Sequence, residues 1–437
     1  MKKTIFTIFL CSLILKGAFA QKRSSDFITD DVSNFWTAYD KIIATKDSAQ
    51  QYTYLHQLFI VKGTLGLKGI MQARGYTEQS YINAINKYPL FWNSIKANTL
   101  KAGAFTESIA ANVSKLKILY PDLKPAKIYF TIGALRTGGT TINSMVLIGS
   151  EIAMGDEHTV TSEFPSAFAG LKPYFKSNPI NIIVFTNVHE YVHTQQKTTI
   201  GNNLLAQCVL EGVAEFMAEK ATKQPSTLPA LNYGRANAEH IKNVFALQLC
   251  NSSNGFWLYS NAENEFGVRD LGYYVGYAIC DKYYDKVSDK KQAIKEMIEL
   301  DCNDETALAE FVDQSGYFAK PVRTLRNEYE ESKPVVTGIT PFKNNSMNVD
   351  TAIREITIEF STVMDTRYRN FELGPLGESN LLEIKSVLGF SNDGKSITFK
   401  VDLQLNHHYQ LMIGDGFRNE NAIQLKPYLI DFYTSAQ

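Results

Sequence analysis

The period of the hydrophobic pattern changes once along this chain, and that change constrains the fold more than any other feature. Over most of 21–330, apolar residues recur at intervals of three and four, which places them on one face of a helix. Over 334–437 they alternate instead, for example at Ile356, Ile358 and Phe360, as in half-buried strands. The sequence therefore predicts a mainly α first domain and a second domain of short β-strands.

The first domain also contains a break in its helical period. Residues 127–132 and 141–149 have the composition of strands, and a glycine-containing turn over 136–140 separates them. The first domain is therefore expected to be α+β, with one small sheet among helices. The first predicted helix begins near Thr29, a plausible N-cap, and includes Phe35, Trp36, Tyr39, Ile42 and Ile43. The other predicted helices of the first domain are 77–87, 106–119, 163–171, 180–197, 203–222, 236–250, 270–287 and 304–314.

Composition and charge limit the classes of partner. The 437 residues include 44 Lys+Arg against 45 Asp+Glu, and 44% of the chain is hydrophobic. A nearly balanced charge gives no strong field to attract nucleic acid, and this apolar content argues against a disordered chain. We therefore expect a globular protein with no nucleic-acid partner.

Residues 1–20 have the pattern of a secretory signal peptide. Lys2 and Lys3 precede an apolar run, and Ala18 and Ala20 provide the small residues of a cleavage site. That run is too short to cross a bilayer, which needs about 20 apolar residues. We expect an exported protein without a membrane span, either periplasmic or extracellular. The cysteines that follow the signal peptide are too sparse for a disulfide framework.

One short motif indicates the chemistry. The sequence His189-Glu190-Tyr191-Val192-His193 lies in an apolar stretch that is compatible with a helix. At 3.6 residues per turn the two histidines share one face, so both imidazoles can bind a single Zn²⁺ at about 2.0–2.1 Å. Glu190 lies beside that face, where its carboxylate can take a proton from an attacking water. The pattern predicts a catalytic zinc site rather than two unrelated core histidines.

A second helical run contains Glu211-Gly212-Val213-Ala214-Glu215-Phe216. Together with the His-Glu-x-x-His motif it resembles the gluzincin metallopeptidases, in which a glutamate on a later helix is the third zinc ligand. The resemblance implies a zincin-like fold over about 25–320, with Glu211 as that ligand and Glu215 as an acceptor for a ligand histidine. Because both carboxylates share one helical face, Glu215 remains the alternative ligand. Gly212, which allows two helices to approach closely, favours Glu211.

The resemblance extends to exported proteins described as predicted zinc-dependent proteases, through a later segment that runs Leu-Gly-Tyr-Tyr-Val-Gly-Tyr from residue 271. Peptide hydrolysis develops an oxyanion, which a tyrosine or histidine donor can stabilise beside the metal. We expect Tyr273 in this catalytic role. Tyr274, Tyr277 and His240 are the alternatives.

The second domain has its own resemblance. The stretch from Thr340 to Asp365 resembles the opening of bacterial Ig-like domains, which exported enzymes and surface proteins carry. The resemblance implies an all-β Ig-like sandwich over 334–437. Such a domain would contact the cell surface or another protein.

The motifs together predict an exported zinc metallopeptidase that cleaves a peptide or protein substrate. By the same resemblance, the strand at 141–149 would hold the substrate by strand addition, with Gly138 and Gly139 allowing close approach; a purely structural hairpin is the alternative. The lack of an evident amine-recognition signature argues slightly against an aminopeptidase.

Two other functions remain open from the sequence. The same residues would serve to hydrolyse a non-peptide amide. The chain could also be a non-catalytic cell-surface or accessory binding protein that retains a metal site for structure. Glu190 argues against the second, because a structural site is closed by protein ligands and has no use for a carboxylate beside the metal.

Overall fold

The computed structural model describes residues 26–260 and 264–436, so the predicted signal peptide, 1–20, lies outside the described residues. The structure is about 47% helical and 14% strand, a mixed α+β fold. No helix within the described ranges combines the length and the apolar content that a bilayer crossing needs. The four cysteines in these ranges are free thiols.

The chain forms two compact units that are interleaved in sequence. The first runs to Ala238 and resumes over Phe256–Tyr317, and the second consists of Glu239–Gly255 and Phe318–Gln437. The second unit thus contains helical residues from before the predicted domain start at 334.

The bounds of the elements in the described ranges are as follows. The helices are α1 (Asp30–Ile42), α2 (Ser48–Leu55), α3 (Leu65–Arg74), α4 (Glu78–Lys87), α5 (Pro89–Thr99), α6 (Thr106–Leu119), α7 (Ser150–Ala153), α8 (Leu171–Lys176), α9 (Ile183–His193), α10 (Leu204–Thr222), α11 (Pro229–Ala236), α12 (Ala238–Ala246), α13 (Leu271–Lys286), α14 (Lys290–Glu299), α15 (Glu305–Ser315) and α16 (Val322–Ser332). The strands are β1 (Phe27–Ile28), β2 (Lys127–Thr131), β3 (Gly139–Ile142), β4 (Met145–Gly149), β5 (Val336–Thr340), β6 (Glu355–Phe360), β7 (Phe371–Glu372), β8 (Ser386–Phe390), β9 (Ser396–Lys400), β10 (His408–Ile413) and β11 (Tyr428–Tyr433).

Most of the predicted helices are confirmed within a few residues, as α4, α6, α10, α13 and α15 show. Two predictions need correction. The segment 163–171 forms only a 3₁₀ turn, Ser166–Phe168, before α8, and the helix predicted over 236–250 ends at Ala246. Helices α2, α3, α5, α7, α8, α11, α14 and α16 were not predicted, although the buried residues of α14 and α16 recur at helical intervals of three and four.

The sheet of the first unit has the strand order β1-β2-β4-β3. Strands β1, β2 and β4 are parallel to their neighbours, whereas β3 is antiparallel to β4 and forms the edge. The single strand predicted over 141–149 is therefore wrong: the chain reverses at Asn143, whose φ of 52° lies in the left-handed region. The resulting hairpin places β3 against the motif helix α9.

Helix α10 forms the centre of the first unit. Nearly all its residues are buried, and it packs against both α9 and α13. The side chain of Asn203 caps its N-terminus by accepting the N–H of Ala206 at 2.9 Å. A helix that is apolar on every side is buried on every side, so the polar residues along α10 need internal partners.

The loop between β2 and β3 is held by a buried carboxylate. Glu151, in α7, is fully buried and accepts hydrogen bonds from the backbone N–H groups of Gly133 (2.8 Å) and Leu135 (3.2 Å). The hydroxyl of Tyr76 accepts the N–H of Arg136 at 3.0 Å. Burial raises the pKa of Glu151 to about 7, although the backbone hydrogen bonds favour its charged form. Glu151 thus fixes the loop that leads into the edge strand.

The second unit contains two antiparallel sheets together with helices α12 and α16. The sheets have the strand orders β5-β6-β9-β8 and β7-β10-β11. Apolar side chains from both sheets, among them Ile358, Phe399, Leu411 and Ile430, belong to one hydrophobic cluster. The alternating pattern is therefore confirmed in β6, β9, β10 and β11. Helices α12 and α16 both precede residue 334, where the predicted all-β domain begins.

Candidate metal centre

The motif helix α9 brings two histidines together, as predicted. His189 and His193 are one turn apart, both are buried, and their ring centroids are 4.8 Å apart. Their Nε2 atoms approach to 3.1 Å. The spacing of four residues therefore produces the convergence that a shared metal ion requires.

Glu211, on α10, completes this cluster. Its Oε2 lies 3.3 Å from Nε2 of His189 and 3.4 Å from Nε2 of His193. Ligands at about 2.0–2.1 Å from a tetrahedral zinc ion lie about 3.3 Å from one another. The three measured separations match that value, so these residues fit Zn²⁺. Among the residues that the structure describes, this is the one cluster of at least three His, Cys, Asp or Glu side chains with metal-ligand spacing.

Hydrogen bonds on the far side of each imidazole fix which nitrogen carries the proton. Nδ1 of His189 lies 2.9 Å from Oε2 of Glu215, and Nδ1 of His193 lies 2.7 Å from Oε1 of Gln196. The amide of Gln196 is itself oriented, because its Nε2 donates to the carbonyl of Leu210 at 2.9 Å. Both Nδ1 atoms therefore donate, which in a neutral imidazole leaves Nε2 as a lone-pair acceptor.

Nε2 of His189, Nε2 of His193 and Oε2 of Glu211 consequently face one point, and all three atoms are hydrogen-bond acceptors. Burial by itself lowers the pKa of His189 and of His193, but contacts with Glu211, and for His189 also with Glu215, outweigh burial and raise both pKa values. Burial likewise opposes charge on Glu211, yet the two histidines hold its pKa well below the usual value. The cluster therefore attracts positive charge, which a metal ion would supply.

The structure also distinguishes between the two candidate carboxylates. Glu211 lies in the cluster, whereas Glu215 contacts His189 from behind, at Nδ1. Glu215 is buried, and its Oε1 has no hydrogen-bond partner within the described residues. A carboxylate in that position orients the imidazole and raises its basicity as a ligand. The geometry thus favours Glu211 as the ligand.

Glu190 lies beside the cluster and against the edge strand. A Cβ on Gly139 of β3 would lie only 2.5 Å from Oε1 of Glu190, so the bare glycine backbone makes room for this carboxylate. Within the described residues Glu190 has no hydrogen-bond donor, and burial raises its pKa although His193 and His189 oppose that effect. A raised pKa brings a carboxylate closer to the range of a general base at neutral pH.

Tyr259 is a residue of the site that the sequence did not reveal. Its hydroxyl donates to Oε1 of Glu211, and Nε2 of Gln207 lies 3.0 Å from the same hydroxyl. The backbone of Tyr259 is left-handed, with a φ of 60°, and its N–H donates to Oδ1 of Asp270 at 2.7 Å. One oxygen of Glu211 thus faces the histidines while the other is held by Tyr259. No period or motif marks a tyrosine in such a loop.

The predicted catalytic tyrosine, Tyr273, lies next to the cluster. Its ring centroid is 6.3 Å from that of His189 and 6.3 Å from that of Tyr259. The alternatives are directed elsewhere: Tyr274 packs against Gly234, and the hydroxyl of Tyr277 donates to Glu219 at 2.8 Å. His240 belongs to the second unit.

A further tyrosine lies on the Glu190 side of the site. Tyr174, on α8, has its hydroxyl 3.5 Å from where a Cβ on Gly138 would lie. Burial, and secondly the negative charge of Glu190, raise the pKa of Tyr174 to about 12. Tyr174 therefore stays protonated and is a donor near Glu190 that the sequence pattern did not indicate.

Comparison with known proteins does not identify a family. No protein-family model matches the chain, and no curated protein matches it significantly. Matching solved structures include "Crystal structure of the S-layer protein rSbsC(31-844)" and "Structure of surface layer protein SbsC, domains 1-6", at 12% and 13% identity. Each match covers 63% of this chain and 38% of the other, with a TM-score of 0.18. A likeness this weak carries no argument about fold or function.

Proposed function

We propose that this protein is an exported zinc metallopeptidase of gluzincin type. The observation that supports the proposal most is the convergence of three acceptors, from His189, His193 and Glu211, at separations of 3.1–3.4 Å. A carboxylate that is not a ligand, Glu190, lies beside them. Three ligands and an adjacent base are the composition of a catalytic site rather than of a closed structural one.

A bound Zn²⁺ would supply Lewis-acid chemistry, polarising the scissile carbonyl and making a coordinated water more acidic. The residues of the chain have separate tasks around it. His189, His193 and Glu211 would hold the ion, while Glu215 and Gln196 keep both imidazoles in the tautomer that exposes Nε2.

Glu190 would act as the general base. It accepts the proton of the attacking water and later delivers a proton to the leaving amine. The position suits this task, because the carboxylate is half-buried beside the ligands and within the described residues accepts no hydrogen bond from another side chain. Gly139 supports the geometry by leaving space for the carboxylate.

Tyr273 would donate a hydrogen bond to the oxyanion as the carbonyl is attacked. Its ring lies beside His189, and the hydroxyl has no hydrogen-bond partner within the described residues. Tyr259 has a different task, since its hydroxyl already holds Oε1 of Glu211. We therefore assign Tyr259 to orienting the ligand and Tyr273 to the reaction.

The edge strand β3 would hold an extended peptide. The N–H of Gly149 donates to the carbonyl of Gly138. Because hydrogen-bonded and non-hydrogen-bonded pairs alternate along antiparallel strands, the backbone N–H and C=O groups of Thr140 point toward β4 and those of Thr141 point away from it. Within the described residues no strand pairs with that outer side. A substrate backbone can therefore add there, next to Glu190.

The zincin-like and Ig-like folds are parts of the same proposal. A small sheet with an antiparallel edge strand against the motif helix supports the first, and two antiparallel sheets around one cluster support the second. Export, to the periplasm or beyond, rests on the pattern of 1–20. In this setting the second unit would contact the cell surface or another protein.

The decisive experiment is digestion of a diverse peptide mixture by the zinc-loaded protein, read by mass spectrometry beside Glu190→Gln. Cleavage by the wild type alone would support a peptidase, and the positions of the cuts would distinguish endo- from exopeptidase. Zinc bound by both proteins at one equivalent with no cleavage by either would contradict the proposal and favour a non-catalytic binding protein. Equal cleavage by both would disprove the role of Glu190.

A further inference from the structure

A polar cleft of about 540 Å³ lies in the second unit, beside the residues that lead into β7. Its lining includes Ser253, Arg369, Asn370, Asp415 and Arg418. All of these side chains donate or accept hydrogen bonds, and two of them are positively charged. The volume falls within the range of small-molecule sites, about 300–1,000 Å³.

The guanidinium of Arg418 is stacked on an aromatic ring and makes no ion pair with a described residue. Its central carbon lies 3.4 Å from the centroid of the Tyr368 ring. Its Nε is buried without a hydrogen-bond partner, and no ion pair joins Arg418 to another described residue. Asp365, which acts on Arg418 electrostatically, is engaged by Arg367 through two hydrogen bonds of 2.9 and 2.7 Å.

A partly desolvated guanidinium without an anion is unfavourable until a ligand compensates it. Burial lowers the pKa of Arg418, which reflects this loss of water, but an arginine stays charged at neutral pH. Arg369, in the same cleft, is exposed and makes no ion pair within the described residues. Two arginines that make no ion pair within the described residues thus line one cleft, and guanidinium groups bind carboxylate and phosphate oxygens in bidentate fashion.

Asp415 places a second requirement on the ligand. Its Oδ2 accepts a hydrogen bond from Oγ of Ser252 at 2.7 Å, and Nε2 of Gln424 donates to the same Oγ at 3.0 Å. A carboxylate in a cleft that binds an anion is compatible only with a ligand that also donates hydrogen bonds. Sugar hydroxyls provide such donors, whereas a simple carboxylate or fully ionised phosphate ion does not.

We propose that this cleft binds an acidic saccharide, whose oxyanion pairs with Arg418 and Arg369 and whose hydroxyls donate to Asp415. Asn370 and Ser253 exchange further hydrogen bonds with the sugar. The oxyanion is the carboxylate of a sugar acid or the phosphate of a sugar phosphate. The inference is independent of the metal centre, which is built from residues of the first unit.

The test is calorimetric titration of the whole chain with glucuronate, glucose 6-phosphate, glucose and inorganic phosphate. Arg418→Gln and Arg369→Gln are compared with Arg354→Gln, whose guanidinium donates to the carbonyls of Thr351 and Ile353 outside the cleft. We expect at least one acidic sugar to bind about 10-fold or more tightly than glucose, because its charged hydrogen bonds are the stronger ones. Arg418→Gln and Arg369→Gln should each remove the preference for the acidic sugar over glucose, whereas Arg354→Gln should keep it.

The two acidic sugars distinguish the sources of the oxyanion, since a preference for one identifies carboxylate or phosphate. Equal binding of glucose and the acidic sugars would overturn the proposal, as would inorganic phosphate binding as tightly as glucose 6-phosphate. Tighter binding of a tri-aspartate peptide than of either sugar would also overturn it. If Arg418→Gln changes the thermal unfolding temperature, Arg369→Gln decides, because its side chain is exposed.

Discussion

Gly212 of α10 and Gly276 of α13 face each other where the two helices cross, and a Cβ on either glycine would clash with the backbone of the other helix. The close crossing has a consequence for the metal centre. Glu211 precedes Gly212, and Tyr273 lies one turn before Gly276, so both side chains reach the site from helices held at backbone contact. The helix approach that Gly212 suggested in the sequence is therefore present.

Gly212→Ala should destabilise the protein and disturb the ligand beside it. The added methyl group meets backbone atoms of α13, which cannot move as a side-chain end would, and overpacking of this kind costs about 1–3 kcal/mol or more. Denaturant unfolding of the metal-free protein measures the loss. Gly103→Ala is the matched control, because a Cβ there meets nothing within 4 Å. Equal stability of the two variants would contradict the close crossing.

Glu211→Gln should abolish stoichiometric zinc binding, whereas Glu215→Gln should only weaken it. Loss of a partner behind a ligand histidine typically costs about 10–100-fold in affinity. Zinc content after dialysis and competition with a chelator separate the two effects. Glu219→Gln, one turn further along α10, is the control and should bind zinc like the wild type. Zinc retained by Glu211→Gln and lost by Glu215→Gln would reverse the ligand assignment.

Tyr259→Phe should lower zinc affinity, because the lost hydroxyl no longer holds Oε1 of Glu211. We expect a loss of about 10-fold or more, as for other partners of metal ligands. Tyr273→Phe should leave zinc affinity unchanged and reduce kcat. Tyr277→Phe, whose hydroxyl contacts Glu219, serves as the control for both. If Tyr259→Phe reduced kcat alone, the roles of the two tyrosines would have to be exchanged.

Gly139→Ala should reduce turnover without removing zinc. The new methyl group would occupy the space of the Glu190 carboxylate, which would have to move by a fraction of an ångström or more. Misplacing a catalytic group by about 1 Å can cost about 100-fold in rate. Steady-state kinetics with a cleaved peptide, together with zinc content, measure the outcome. Unchanged kcat would show that Glu190 does not need this position.

Glu151 should make stability depend on pH. The pKa of Glu151 in the folded protein, about 7, is above the ordinary value of 4.5. The contribution of this group to the free energy of unfolding is therefore fully present below pH 4.5 and is lost as the pH rises through 7. A difference of this size corresponds to about 3 kcal/mol. Denaturant unfolding of the wild type and of Glu151→Gln from pH 4.5 to 8 measures it. If the free energies of unfolding of the wild type and the variant differ by a constant amount over this range, the pKa of Glu151 is not raised.

The cluster of candidate metal ligands can be predicted from the sequence because helical geometry is local. The spacing of His189 and His193 fixes their convergence once α9 forms, and the glutamate-rich run places Glu211 on one face of α10. Tyr259 could not be predicted in the same way. Its position depends on a left-handed backbone conformation and on Asp270, and neither leaves a periodic signal in the sequence.

The strand hairpin shows a second limit. Apart from Asn143-Ser144, the residues of 141–149 have strand composition, and the reversal occurs at that pair without the glycine that usually marks such a turn. The tertiary environment determines the position of the reversal instead. The hairpin packs on α9 and places Gly139, which has no side chain, next to the carboxylate of Glu190. The role of Glu151 likewise could not be predicted, because it depends on hydrogen bonds from the N–H groups of Gly133 and Leu135, which only the folded loop brings near.

The outer side of β3, with which no described strand pairs, also bears on the self-association of the protein. Edge strands are usually protected from each other by lysine, proline or a bulge, and the sequence Gly-Thr-Thr-Ile of β3 contains no lysine or proline. Two copies can therefore pair through this edge at high concentration. Each copy would then occupy the outer side of β3 at which the other would hold its substrate. Self-association at high protein concentration would then compete with substrate binding, and an extended peptide bound at β3 would prevent the self-association.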